Sequence, residues 1–373
     1  MELKKYRFDE VTINFDKRRV PLSGAQRERR PGKYRYYGAQ GIIDHIDDFI
    51  FDGTYLLIAE DGENLKSKKQ NIAQVVDGQF WVNNHAHVVQ GNELCDTRYL
   101  CYLLNSMDLS GYITGSAQPK LSQANLNAVT MFLPSIDEQK KIIEYLYTLD
   151  KKIVVNQRIN DNLEQQLHQL FIQTFNGCDT NISLGKVVKT TSGGTPARKH
   201  REYYSNGTIN WVKSKELTGQ YLFDTEESLT SLGVAMSSAK ILPAHSVLIA
   251  MYGATVGEHG ITTKEMACNQ AICALLENKD YPYTYLFQIA KENQQNLVNL
   301  AIGSAQQNIS QILLKQLSVH SDVATIHQYH CLALPLHKEI ELLQSENRLL
   351  NTTRDALLPE LMTGELDLSS VDF

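Results

Sequence analysis

One phrase occurs twice in this chain, and that repetition constrains its fold more than any other feature. Residues 115–126 read GSAQPKLSQANL and residues 303–314 read GSAQQNISQILL, 188 positions apart. Self-similarity at such a separation points to two copies of one structural unit rather than one large core. Downstream, each copy runs into a helical pattern, over 133–175 and again over 334–366. In the first, Ile142, Leu146, Leu149, Ile153, Asn156, Asn160, Leu163, Leu167 and Leu170 recur at alternating steps of four and three. A spacing of about 3.5 residues is the seam of one helix wrapped on another. At an offset of 187 the second copy continues with Leu336, Ile340, Leu343, Asn347, Leu350, Arg354 and Leu357. The expected pairing seam is therefore Leu149, Ile153, Asn160, Leu163 and Leu170 with Leu336, Ile340, Asn347, Leu350 and Leu357. Asn160 and Asn347 occupy matched places, where a seam Asn trades stability for register. A solvent-facing position that tolerates Asn is the alternative. Ser135 and Glu138 form a capping box at the start of the first helix. Gly364 ends the second, and Pro335 is expected to interrupt or kink it near its beginning.

Upstream of each phrase the halves diverge but keep a pattern. LLIAEDG (56–62) faces VLIAMYG (247–253), and NNHAHVV (83–89) roughly faces CNQAICAL (268–275). Short apolar runs bounded by Gly, Asn and Asp read as strands. The expected class is mixed α/β (α+β), with a pseudo-two-fold internal repeat. Its order is a globular domain (1–134), a central long helix (135–176), a second domain (183–322) and a distal helix (323–366). The two helices are expected to pair as an antiparallel coiled coil. At 373 residues each domain can bury its own core.

The start, MELKKYRFDE, is charged and is not a signal peptide, and no apolar run is long enough to span a bilayer. The six cysteines form no CxxC pair, which reads as reduced thiols in a cytoplasmic protein. Catalytic signatures are missing. PGKY (31–34) and SLGK (183–186) lack the leading glycine of a phosphate loop, and there is no G-x-S-x-G, H-E-x-x-H or Asn/Asp-Pro-Pro-Tyr. His85 and His87, or His327, His330 and Cys331, could be imagined on zinc, but no second pair stands at ligand spacing. No metal site is expected.

The formal charge of −6 conceals an asymmetry. Residues 1–40 hold eleven Lys or Arg against five Asp or Glu, a net of +6, which leaves −12 on the rest. Screening makes a local basic surface attractive to phosphate even on an acidic body; a merely solvated basic face is the alternative. Two segments interleave cations with aromatics. The first, 18–41, offers Arg27, Arg29, Arg30, Lys33, Tyr36 and Tyr37. The second, 191–217, offers Gly193, Gly194, Thr195, Arg198, Lys199, Arg201, Lys213 and Lys215. Guanidinium forks suit phosphates and guanine edges, tyrosines stack, and the glycines could admit a ligand close to the backbone. Both segments place basic residues before a Tyr-Tyr pair, so double-stranded DNA is the expected partner; a polar loop with a structural Tyr pair is the alternative.

With SGGTPARKHREYYSNGTINWVK, YYGAQGIIDHIDDFIFDGTYLLIAEDG, the paired GSAQ phrases, LPSIDEQKKII and ALLPELMTGEL in view, the chain resembles the specificity subunit of type I restriction-modification systems over essentially its whole length. The resemblance implies two target-recognition domains, each reading half of a split DNA sequence. It implies two helices that separate the domains and dock two methyltransferase subunits, with motor-nuclease subunits joining them. It implies a chain that is not itself an enzyme and binds no cofactor. S-adenosylmethionine, ATP and magnesium would serve the other subunits of the DNA adenine methyltransferase and site-specific deoxyribonuclease complex. The second helix departs from the pattern, with SDVATIHQYHCLALP where PSIDEQ would stand. On this reading the helix pair acts as a ruler between two half-sites read in the major groove. A self-contained enzyme and a protein-binding scaffold are the rivals.

Overall fold

The computed structural model of the chain describes residues 2–67, 70–115, 118–302 and 308–366; positions 116–117 and 303–307 of the repeated phrase lie outside them. Two compact units emerge. The first is Met1–Ile153 with Leu349–Phe373, and the second is Val154–Arg348.

The first unit is built on strands β1 (Lys4–Arg7), β2 (Thr12–Asn14), β3 (Pro31–Gly38), β4 (Gly41–Ile46), β5 (Phe51–Ala59), β6 (Ala73–Val82), β7 (Ala86–Gly91) and β8 (Thr130–Leu133). Six of them form one sheet in the order β2-β7-β5-β6-β3-β4, antiparallel except for the β3–β6 pair. β1 pairs antiparallel with β8. Successive side chains of a strand point to opposite faces. Leu56 and Ile58 of β5 thus join the core formed with Tyr99, Leu100, Leu103 and Leu104 of helix α1 (Thr97–Ser106). Tyr55 and Leu57 join an aromatic core with Tyr37, Phe51 and Phe80. A strand covered on both faces reads as a continuous apolar run, which is why LLIA carries no alternation.

The second unit contains β9 (Thr180–Ser183), β10 (Lys189–Ser192), β11 (Ile209–Val212), β12 (Gln220–Leu222), β13 (Ser228–Leu229), β14 (Val247–Ala250), β15 (His259–Thr262), β16 (Ala267–Cys268), β17 (Ile272–Leu276) and β18 (Ser318–His320). Its main sheet runs β10-β17-β14-β15-β12, a smaller one runs β13-β11-β16, and β9 pairs with β18. The strand plan repeats that of the first unit. β2-β7-β5-β6 and β10-β17-β14-β15 share order and sense, and the register agrees: Leu56 faces Val75 where Val247 faces Ile261. The far end of β6 runs parallel to β3, with Tyr37 beside Val82; β16 runs parallel to β11, with Val212 beside Cys268. β4 on β3 corresponds to β13 on β11, both antiparallel. The single strand β6 is thus split into β15 and β16, and β12 is added beside β15. The domains that look poorly matched as sequence share one topology, because a sheet specifies which positions are apolar rather than which residues fill them.

The repeated phrase has the same mechanical task in both units. Ser122 and Ser310 cap short helices by accepting from the amides of Asn125 and Leu313. Leu126 and Leu314 are fully buried one turn later. The amide of Leu121 donates to the carbonyl of Glu60 at 2.8 Å, and that of Ile309 to Met251 at 2.9 Å, each at the end of the central apolar strand. The phrase fastens the chain to that strand.

Three further helices of 20 residues or more are present among the described residues: α2 (Ile136–Thr174), α3 (Tyr283–Ile302) and α4 (Val323–Thr363). Both α2 and α4 contribute to each unit. In the first, Ile142, Ile143 and Leu146 share a core with Leu361 and Met362, and Arg354 Nη1 donates to Asp150 at 2.7 Å. In the second, Leu167, Phe171 and Phe175 share a core with Ile326, Tyr329, Ala333 and Ile340. There Asn156 Nδ2 donates to Asn347 Oδ1 at 2.9 Å and to Glu346 at 2.7 Å. Within each unit, residues early in one helix meet residues late in the other, so the pairing is antiparallel. Leu149, Ile153, Asn160, Leu163 and Leu170, with Leu336, Ile340, Asn347, Leu350 and Leu357, are all buried or half-buried. The seam amide that meets Asn347 is Asn156, and Asn160 is buried with its Oδ1 lacking a partner among the described residues.

The ends of the long helices follow their capping chemistry. Ser135 and Glu138 form the capping box, with Glu138 Oε2 accepting from the Ser135 amide at 3.0 Å. Asp322 caps α4 by accepting from the amides of Ala324 and Thr325. It stands 187 residues after Ser135, so a different residue does the same work where the PSIDEQ match fails. Gly364 closes α4 at φ +77°, a conformation that favours glycine. The expected interruption at Pro335 is corrected: α4 continues through it. Proline removes one donor, whose carbonyl partner belongs to Cys331, and both residues lie on the exposed side where water can serve that carbonyl. Buried Ala333 and Ile340 hold the helix on either side.

Candidate nucleic-acid interface

In the first unit the basic segment begins with a buried polar knot. His87 Nδ1 lies 2.6 Å from Asp16 Oδ2, and Nε2 lies 2.9 Å from the Leu121 carbonyl. Both ring nitrogens face acceptors, an arrangement that favours the imidazolium. Arg19 pairs with Asp16 and Glu60, and Lys120 with Glu60. Burial works against charge on both partners. The His87 hydrogen bond and the amide of Val88 nevertheless keep the Asp16 carboxyl below its ordinary range, and the Asp16 hydrogen bond keeps His87 above its own. A raised histidine stabilises fully below its unfolded value near 6.5 and loses that contribution as pH rises through the folded value. A depressed aspartate stabilises above its unfolded value and loses that contribution as pH falls through its folded value. His87→Gln is therefore expected to cost about 2 kcal/mol near pH 6, with the gap to wild type closing on the alkaline side in a melting-temperature series.

The next residues divide into engaged and free. Ser23 caps a short turn of helix, Gly24–Glu28. Arg27 donates to Asp44 at 3.0 Å and lies over the Tyr36 ring. Arg30 donates to Asp47 at 2.8 Å and stacks on Trp81. Arg35 reaches the Asp77 carbonyl. The net +6 of residues 1–40 is thus partly answered by Asp44, Asp47 and Asp48 on the neighbouring β4 hairpin. Arg29 and Lys33 are exposed and have no carboxylate partner among the described residues; Lys33 rests over Tyr34. Tyr36 and Tyr37, expected from the sequence to face DNA, are core residues instead, 0% and 4% exposed. The Tyr36 hydroxyl accepts from the Leu22 amide at 2.8 Å. They point inward because β3 lies between β4 and β6, covered by both cores.

In the second unit a Cβ on Gly193 would fall 1.9 Å from the Cys268 carbonyl oxygen, and one on Gly194 2.2 Å from Ser238 Oγ. The two glycines admit the protein's own backbone, not a ligand, which corrects their expected role. The Trp211 indole donates to the Gly194 carbonyl at 3.0 Å and fixes the loop. Arg198 pairs with Glu227 and lies over Tyr204 and Trp211. Lys213 donates to Glu226 and Glu227, and Lys215 to Glu226. Hydrogen bonds from Arg198 and Lys213 hold the Glu227 carboxyl at about 2. Thr195 bonds the exposed Gln270. Lys199 and Arg201 are exposed with no carboxylate partner among the described residues. The two Tyr-Tyr pairs are not equivalent: Tyr36–Tyr37 correspond in the sheets to Trp211–Val212, while Tyr203 ends a 3₁₀ turn. Glu226 and Glu227 were legible as an adjacent acidic pair, yet nothing local in the sequence marked them as the counter-charge.

The histidines considered as ligands are engaged otherwise. His85 lies 2.7 Å from Asp61, His327 2.7 Å from the Lys279 carbonyl and His330 2.9 Å from Thr284 Oγ1. Among the described residues no cluster of three His, Cys, Asp or Glu is placed to hold a metal ion. The six cysteines are free thiols, and burial pushes those of Cys95, Cys101, Cys268 and Cys273 up to about 12. No described helix is long and apolar enough to cross a membrane.

Known proteins bear on this arrangement. The chain is 33% identical over 141 residues to a Haemophilus influenzae chain assigned as a type I restriction enzyme specificity subunit, an alignment covering 38% of this chain and 36% of that one. It is 26% identical over 302 residues to the type I restriction enzyme MjaIX specificity subunit of Methanocaldococcus jannaschii, covering 72% and 69%. Its fold is similar to the crystal structure of the type I restriction-modification system S subunit from M. genitalium, with a TM-score of 0.66, 14% identity and coverage of 97% and 96%. The family described as the type I restriction modification DNA specificity domain matches residues 2–165 and again residues 180–320, once per repeated unit. With two such matches filling most of its length, the chain belongs to the type I restriction-modification DNA specificity family.

Proposed function

We propose that this chain is the DNA-reading subunit of a type I restriction-modification complex, each unit reading one half of a bipartite, asymmetric target. The observation that carries the reading is a repeated fold whose sheet plan is kept while the basic segments it carries diverge. One strand plan carrying different basic segments suits independent reading of two half-sites. Arg29 and Lys33 in one unit, and Lys199 and Arg201 in the other, serve as phosphate contacts, because their charge is not consumed internally. Methylation and cleavage fall to methyltransferase and motor-nuclease subunits, which would use S-adenosylmethionine, ATP and magnesium in the cytoplasm. Family membership supports this division of labour, as does a sequence without a catalytic motif.

The test is a methylation assay on duplex DNA with S-adenosylmethionine, using the full chain alone and with type I methyltransferase subunits of its source. The expected outcome is no methylation by the chain alone and adenine methylation at a split sequence once the subunits are added. Methylation by the chain alone would favour a self-contained enzyme. Assembly with the subunits without any DNA selectivity would favour a scaffold.

A further inference from the structure

The strand equivalence places one turn in register between the two units. It follows β6 in the first and β16 in the second, and leads into β7 and β17. Asn83 opens it in the first unit. Its amide donates to the Tyr37 carbonyl at 3.0 Å, and its Oδ1 accepts from the His85 amide at 2.8 Å. Asn269 opens it in the second, donating to the Val212 carbonyl at 2.9 Å and accepting from the Ala271 amide at 3.1 Å. The turn closes identically as well. Glu60 donates to the His85 carbonyl at 2.9 Å, and Met251 to that of Ala271 at 2.7 Å. Between anchor and closure stands one exposed residue, Asn84 or Gln270, and both are carboxamides.

The surroundings of Gln270 suit a base edge. Gly193 packs on the 268–269 backbone and Gly194 on 238–239, so the three segments form one rigid platform. Thr195 Oγ1 donates to Gln270 Oε1, and Lys240, the residue after the 238–239 segment, donates its Nζ to Thr191 Oγ1 at 2.9 Å. None of these four side chains pairs with a carboxylate among the described residues, unlike Arg198, Lys213 and Lys215 a short way along the chain. A carboxamide offers one donor and one acceptor in a plane, which matches N7 and N6 of adenine, and a lysine matches the acceptors of guanine. Rigid support is what such a contact needs, since a loosely held amide loses the geometry on which discrimination depends.

We propose that Gln270 and Asn84 are specificity-determining residues, each reading a base edge in its own half-site. The proposal rests on the DNA-reading function above. Its test is selection from a randomised duplex library by the full chain assembled with its methyltransferase subunits. Wild type enriches a split motif. Gln270→Ala is expected to lose preference at one base pair of one half by about 10- to 100-fold, leaving the other half unchanged. Asn84→Ala does the same in the other half. Gln270→Glu, close in shape but acceptor-only, shifts that position towards cytosine, whose N4 is a donor. An unchanged motif in these variants, or a uniform loss across all sequences with the motif intact, overturns the assignment while leaving the DNA-reading function standing. A wild-type chain that enriches no motif overturns both.

Discussion

Removing Arg29, Lys33, Lys199 and Arg201 together by alanine substitution is expected to weaken duplex binding on the order of 10²–10³-fold at low salt. It should also flatten the dependence of log K on log salt by about 0.9 for each phosphate no longer neutralised. The four are singled out because they are exposed and unpaired with carboxylates among the described residues. Arg198→Ala is expected to change the slope less. Its charge already lies on Glu227, so a phosphate must compete with a carboxylate for it. The same holds for Lys213, shared between Glu226 and Glu227. Binding titrations at several salt concentrations separate the two groups. Equal slopes for the quadruple variant and wild type would remove these residues from the interface.

Leu314→Ala is expected to destabilise the protein by about 2–5 kcal/mol, and Leu126→Ala by a similar amount. Both leucines are fully buried at the same place in the repeated phrase, each beneath a capped turn fastened to the central strand. Ser122→Ala and Ser310→Ala remove only a cap and are expected to cost about 1 kcal/mol each. Denaturant unfolding of the full chain gives the magnitudes. A cost for the leucine variants no larger than that for the serine variants would mean that the phrase is not a packing anchor.

What was legible in the sequence follows from how each feature is encoded. The helix seam could be read because a period near 3.5 is a one-dimensional signal, and every seam position from Ile142 to Leu170 is at least half-buried. The repeat could be read where packing demanded near-identity, at Ser122/Ser310 and Leu126/Leu314. It faded in the sheets outside the LLIA and VLIA runs, where equivalent positions such as Val89 and Leu275, or Tyr37 and Val212, share only their burial. The common strand plan needed the hydrogen-bond register to be seen. Asp322 carries no match to Ser135 because capping is a role that several residue types fill. Pro335 does not interrupt its helix, since one missing donor on a wet face does not end a helix packed on its other side. At the candidate interface, residue types identified cations but not their partners. Arg27, Arg30, Arg198 and Lys213 are held by carboxylates from other segments, and Tyr36 and Tyr37 are turned inward by strands on either side of β3. Asn84 and Gln270 carried no motif; NNHAHVV and CNQAICAL set them only roughly opposite, and the strand register makes them equivalent.

The proposed function depends above all on two separately reading copies of one unit. The most direct measurement exchanges residues 1–134 for the corresponding segment of a family member of different specificity and maps the methylated sequence of the assembled complex. One half of the split target is expected to change while the other half keeps its sequence. A target altered in both halves, or one continuous site in place of two, would rule out independent reading.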